Sequence, residues 1–224
     1  MYDVEKTFNE LMKTHQVDGF VADHTQHVFV LESPHIEEIK HGMPVSGSSG
    51  KSMSSVLFNN RMLLPLGRLV KKNQTENMGD VLLDKIGLMN VCNIPMQKSA
   101  YEDPEVVSLR GKVDTVKYED FFRFLERVRT NQTALYATPE CNKLQEIILA
   151  DFKKRMEPFV GRKLTFIPCG KFANKFFRML DLDMSSWTVV YDVPHPSYNN
   201  WEKPIYAERI KHMKQILGDA SDNN

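Results

Sequence analysis

The chain has 224 residues, 42% of them hydrophobic, enough for one domain with a sizeable buried core. Its 29 basic and 29 acidic residues cancel, which is not the balance of a strongly basic nucleic-acid binder. There is no run of about 18 apolar residues, and "MYDVEKTFNELMK" lacks the apolar stretch of a signal peptide. The expectation is a soluble, cytoplasmic protein without membrane association, monomeric by default. Cys92, Cys141 and Cys169 lie far apart without a Cys-x-x-Cys pair, so they read as buried thiols rather than a disulfide framework or a metal site.

In chain order, an amphipathic segment at about 3–16 precedes the first apolar run, "HVFVLE" at 27–32. A glycine-containing loop follows, then a basic amphipathic helix at about 51–72 and a second apolar run, "IGLMNV", at 86–91. Residues of about 97–139 interrupt the pattern with an irregular stretch and one helix at 119–130, and read as an insertion in a single domain spanning 1–218. Helical periodicity returns at 140–157. Runs at 164–169 ("LTFIPC") and 187–193 ("WTVVYDV") then bracket a helix at 170–181, and a last helix covers 204–217. The polar residues 219–224 read as a flexible tail. Short apolar runs alternating with helices predict an α/β fold, its parallel sheet covered on both faces and its ligands at the carboxyl ends of the strands.

The charges are unevenly placed. Lys51–Lys72 carries five basic residues and no acid, and Gly161–Arg178 carries five more and again no acid. Two solvated helix faces would look like this; so would a phosphate-facing surface, if the segments meet in space.

"GSSGKS" at 47–52 imitates a P-loop, but that motif needs a glycine where Val45 stands, and it starts directly at a strand end. The Gly-x-Ser-x-Gly spacing of a nucleophile elbow is absent as well. What remains is a strand ending in Glu32-Ser33-Pro34-His35, then a loop, then a helix start near Ser52 whose free amides suit an anion. At the far end, His195 sits just beyond a strand between Pro194 and Pro196, which restrict the backbone on both sides. Asn90 ends the second run, with an amide able to read the hydrogen-bonding edge of a base.

Taken in order, these motifs resemble the uracil-DNA glycosylase superfamily, closest to its family 4 and 5 branches. The first motif of those branches runs approximately Gly-Glu-Ala-Pro-Gly, an acidic spacer, then Gly-Arg-Pro-Phe-x-Gly-x-Ala-Gly. Here it corresponds to Leu31-Glu32-Ser33-Pro34-His35, Glu37-Glu38 and the stretch Gly42 to Gly50. Met89-Asn90, "FIPCGKFA" and His195-Pro196-Ser197 match the later motifs. The resemblance spans about residues 25–215 apart from the insertion. It implies a three-layer α/β/α sandwich with a central four-stranded parallel sheet. It also implies base flipping from DNA, with hydrolysis of the N-glycosidic bond of uracil or a related damaged base, as in base-excision repair. By resemblance, His195 would hydrogen-bond the base oxygen, Asn90 would read its edge and Glu32 would orient or activate water. Gly47, Ser48, Gly50, Lys51, Lys171 and Ser197 would hold phosphates. Tyr198, Asn199, Asn200 and Trp201 lie where a wedge enters the base stack.

The departures from the family are specific. The aromatic that stacks on uracil falls at Val45, for which Phe58 or Tyr198 are the substitutes on offer. The position of a catalytic Asp or Asn in some branches falls at Ser33, and His35 replaces a small glycine in the base pocket. Three unmatched cysteines cannot hold the family 4 iron–sulfur cluster, so no cofactor is expected. Three functions stay open: a DNA glycosylase, a glycosylase-fold nucleic-acid-binding module with weak or no catalysis, and a hydrolase of small nucleoside-like substrates.

Overall fold

A computed structural model describes residues 3–218; the proposed tail at 219–224 lies outside the described residues. In chain order the elements are α1 (Val4–His15), β1 (His27–Leu31), α2 (Ile36–His41), α3 (Ser48–Leu57), α4 (Leu66–Glu76) and α5 (Val81–Lys85). Then come β2 (Ile86–Asn90), α6 (Ser99–Glu102), α7 (Pro104–Arg110), α8 (Glu119–Thr130) and α9 (Pro139–Met156). The chain closes with β3 (Leu164–Pro168), α10 (Gly170–Met179), β4 (Trp187–Val189) and α11 (Ala207–Leu217), with short 3-10 turns at Ser197–Glu202 and Pro204–Tyr206.

The four strands form one all-parallel sheet in the order β2-β1-β3-β4. β1 is buried along its whole length, and its alternate residues feed opposite faces. Val28 and Val30 pack with α1, α8, α9 and α10 through Phe8, Phe121, Phe152 and Phe177. Phe29 and Leu31 pack with α3, α4 and α11 through Met53, Leu69 and Met213. Helices therefore cover both faces, as expected of buried parallel strands. Leu31 pairs with Asn90, so β1 and β2 end level and Glu32 leaves the sheet beside Asn90. β4 is shorter than its apolar run: past Val189 the Val190 N–H still donates to the Phe166 carbonyl at 2.9 Å and an isolated bridge joins Val193 to Cys169, while Asp192 has φ 63°.

Three expectations are corrected. The basic segment 51–72 is two helices, not one. Asn59 and Asn60 both adopt left-handed φ, of 49° and 61°, and Pro65 precedes α4, so the chain turns between Leu57 and Leu66. The first of them starts at Ser48, so "SSG" is its opening turn and the anion-facing start is not at Ser52. The segment 97–139 holds three helices where one was expected. α7 begins at an Asp103 N-cap followed by Pro104. Tyr101, Phe121 and Phe122 sink into the cluster that holds Val28 and Val30, so the insertion builds the core beneath one sheet face. All three cysteines are buried and free.

Candidate active site

The carboxyl edge of the sheet opens into a cleft of about 540 Å³. Glu32 and Ser33 enter it from β1, and His35 and Glu38 from the start of α2. Val45, Gly47 and Ser48 form one wall; His195, Ser197 and Tyr198 form the other. A second hollow of about 240 Å³ lies behind Glu32 and His195 and reaches Gly170 and Lys171.

His195 is held from several sides. Asn200 Nδ2 donates to its carbonyl at 3.1 Å, and Trp201 Nε1 donates to the Pro194 carbonyl at 2.7 Å. Gly170, at φ +88°, leaves room for the ring: a Cβ there would stand 2.8 Å from His195 Cβ. The Ser197 backbone N–H donates to His195 Nδ1 at 3.2 Å, with Ser197 Oγ at 2.9 Å from the same nitrogen. A backbone N–H can only donate, so Nδ1 is the acceptor and the proton of the neutral ring sits on Nε2. Burial, seconded by the Arg129 charge, lowers the His195 pKa to about 4, so at neutral pH the ring is uncharged.

Arg129, from α8, is the cation of the cleft wall. Its Nη2 and Nε bind Glu126 at 2.6 and 3.0 Å, and its Nη1 reaches Glu32 Oε1 at 3.4 Å. Burial raises the Glu32 pKa above the usual carboxylate value, and the Arg129 charge works against that rise. Glu38 is the second acid. Its carboxylate accepts from His35 N at 2.8 Å and from Val45 N at 2.5 Å. Burial nevertheless lifts its pKa to about 7, with the nearby Glu32 charge adding to the rise.

Val45 has φ 62°, a strained conformation for a β-branched residue. Glu38 clamps its N–H, and its carbonyl accepts from Gly67 N at 3.1 Å. Gly50 lies directly under that carbonyl: a Cβ there would come within 1.8 Å of the Val45 oxygen. Beyond this wall, α3 starts at Gly47 without a side-chain cap, leaving the Ser48 and Ser49 amides at the cleft.

Most of the residues singled out from the sequence gather here: Glu32, Ser33, His35, Val45, Gly47, Ser48, His195, Ser197 and Tyr198 all line the cleft. Lys171 is exposed at the hollow behind it, and Lys51 is exposed on the outer face of α3. Five assignments change. Asn90 has no exposed surface and does not line the cleft; it lies close enough to Glu38 to favour the ionised carboxylate, yet neither of its amide atoms has a partner in hydrogen-bond geometry. Phe58 is buried among Met53, Leu57 and Leu69, away from the cleft, so it offers no stacking face. Trp201 is 2% exposed and packs on Phe29, which makes it an anchor of the His195 loop and not a wedge; Asn200 serves the same loop. Gly50 permits the close approach to Val45 and is itself buried, so it offers no phosphate surface. Tyr198, 88% exposed at φ 54°, and the exposed Asn199 at φ 51° form the projecting tip.

Sequence reasoning missed Glu38, Arg129 and Gln97. Glu38 carried a local signal: an acid three residues after His35 at a helix start, the spacing of a capping box. Gln97, whose Oε1 lies 3.1 Å from His35 Nε2, and Arg129 carried none.

Fold and site together define a parallel α/β protein with an acid-lined cleft at the carboxyl edge of its sheet and one neutral, oriented imidazole in the wall. Among the described residues no helix is long and apolar enough to cross a membrane. No family model and no curated protein matches the chain.

Proposed function

We propose that the chain is a DNA glycosylase-like hydrolase of the N-glycosidic bond of uracil or a related damaged base. The observation that carries this reading is His195, neutral, with Nδ1 occupied by the Ser197 N–H and Nε2–H without a protein partner among the described residues, lining the same cleft as Glu32. A flipped nucleotide sets the base in the cleft. As the C1′–N bond breaks, the sugar becomes oxocarbenium-like and negative charge grows on the base. Nε2–H donates a hydrogen bond to the base oxygen as that charge develops; the ring needs no proton transfer to do so. Glu32 orients a water toward C1′ and takes up its proton as the new C–O bond forms. Arg129 supports Glu32 in its ionised form. With Asn90 shut in, Glu38 lines the cleft with a carboxylate able to accept from a base N–H. Ser48, Ser197 and the exposed Lys51 and Lys171 are the phosphate contacts, and Tyr198 with Asn199 the projecting wedge.

The burial of Asn90 favours a second reading, a nucleic-acid-binding module that retains the cleft without base release. Uracil-bearing single-stranded and duplex oligonucleotides, followed by alkaline cleavage of abasic sites, separate the two. Strand cleavage that disappears in His195→Ala and Glu32→Ala is the expected result. Binding without base release supports the second reading, and absence of DNA affinity at low salt removes both.

A further inference from the structure

The cleft does not end at Ser48. The same serine lies on the wall of a neighbouring hollow of about 360 Å³, which shares Ser55, Asn60 and Glu202 with a third hollow of about 710 Å³ along α11. The last two adjoin through those shared residues and meet the cleft at Ser48; together these two hollows form a trough along α3 and α11 that leads away from the cleft. The stretch from Ser48 to Ser55 advances about 10 Å along the helix, the rise of about three stacked nucleotides.

The trough is basic although the chain as a whole is neutral. Lys51, Lys203, Lys211 and Lys214 line it against a single acid, Glu202. None of these ammonium groups forms an ion pair among the described residues. Lys214 is held to the Val56 carbonyl and Asn59 Oδ1 at 3.1 and 3.0 Å, and Lys203 to Asn200 Oδ1 at 2.6 Å, so their charges are positioned without being neutralised. Two large side chains project on either side of Ser48: Tyr198, 88% exposed, from the cleft, and Leu63, 79% exposed, from the trough. A duplex presents phosphates and hides base faces, whereas a single strand presents both, and a row of cations beside an exposed ring matches the second.

We propose that this trough holds a single-stranded DNA flank, its phosphates on Lys51, Lys203, Lys211 and Lys214 and an unstacked base on Tyr198. The proposal deepens the glycosylase reading by fixing the strandedness of its substrate, and rests on that reading only for the nucleotide inside the cleft.

The test is fluorescence anisotropy of the full chain with an undamaged single-stranded oligonucleotide and its duplex, across a salt series. Single-stranded DNA binds more tightly. In the triple variant Lys51→Gln/Lys203→Gln/Lys211→Gln, the slope of log K against log salt becomes shallower by about 2, since each phosphate contact on a single strand contributes about 0.7. Tyr198→Ala weakens binding roughly 5- to 150-fold. These side chains are exposed, so thermal melting of the variants matches wild type and separates lost binding from lost folding. An unchanged salt slope, or duplex bound as tightly as single strand, overturns the trough. Base release is scored separately on the uracil-bearing strand. If wild type releases uracil while the triple variant binds as wild type does, the trough fails and the glycosylase reading survives. If the strand binds as expected and no base is released, the reverse holds.

Discussion

Replacing His195 by glutamine changes the stability of the protein in a pH-dependent way whose size follows from the burial of the ring. The folded-state pKa is about 4 against 6.5 for a free imidazole, burial being the main cause and the Arg129 charge the lesser one. Between those values the unfolded chain binds a proton that the folded one refuses, so stability is full above pH 6.5 and is lost as the pH falls toward 4. Each unit corresponds to 1.36 kcal/mol, which makes the loss down to pH 4.5 about 3 kcal/mol. Wild type masks it. Glu38, raised from 4.5 to about 7, titrates in the opposite sense: its folded form keeps a proton that the unfolded chain has released, so its contribution grows as the pH falls through the same window. The difference between variant and wild type removes Glu38 and every other shared group. Urea unfolding at pH 7.5 and pH 4.5 measures it: His195→Gln gains about 3 kcal/mol on wild type across that interval, seen as a rise of about 6–12 °C in relative Tm. A difference that stays constant with pH refutes the reasoning, since the ring would then titrate alike in the folded and unfolded chain.

Three further outcomes follow from the same contacts. Arg129→Gln removes the cation 3.4 Å from Glu32, so the acid limb of the single-turnover rate of base release moves to higher pH; profiles that overlay exclude Arg129 from control of that acid. Gly170→Ala places a Cβ 2.8 Å from His195 Cβ at a φ of +88°, and costs about 1–3 kcal/mol in urea unfolding together with a loss of base release. Gly50→Ala puts a Cβ 1.8 Å from the Val45 carbonyl, a backbone clash that cannot be relieved by a rotamer; a loss of about 3 kcal/mol or more is expected, and a melting temperature equal to wild type would sink the idea that Gly50 supports the Val45 wall.

Much of the sheet was legible because fully buried parallel strands are short and uniformly apolar, and Glu32 and His195 could be singled out because they stand where such strands end. The misread helix of 51–72 failed on backbone conformation. Asn59 and Asn60 in the left-handed region break a pattern that remains amphipathic on both sides, and side-chain periodicity does not register φ. Arg129 was illegible for another reason. It sits in the last turn of α8, where a basic residue is favoured by the helix dipole alone, so its type carries no information about a site. Only the docking of Phe121, Phe122 and Val128 into the core turns that helix so that Arg129 meets Glu32.

Val45 shows how a departure from a motif is better understood from the backbone than from the side chain. A valine in place of an aromatic suggests a lost stacking face. In the fold, the side chain is 3% exposed and packs with Leu31 and Met53, so it is part of the core beneath one sheet face. The backbone there is held at φ 62° by three neighbours: the Glu38 carboxylate on its N–H, the Gly67 amide on its carbonyl, and Gly50 close beneath that carbonyl. A left-handed valine costs about 1–3 kcal/mol, and it persists where the surroundings over-determine it. The same Glu38 also takes the His35 N–H, so one buried acid ties the strand end that carries Glu32 to the wall that begins α3. The wall of the cleft is therefore set by a charge whose pKa lies near 7, and the ring available to a base is the exposed Tyr198 across from it.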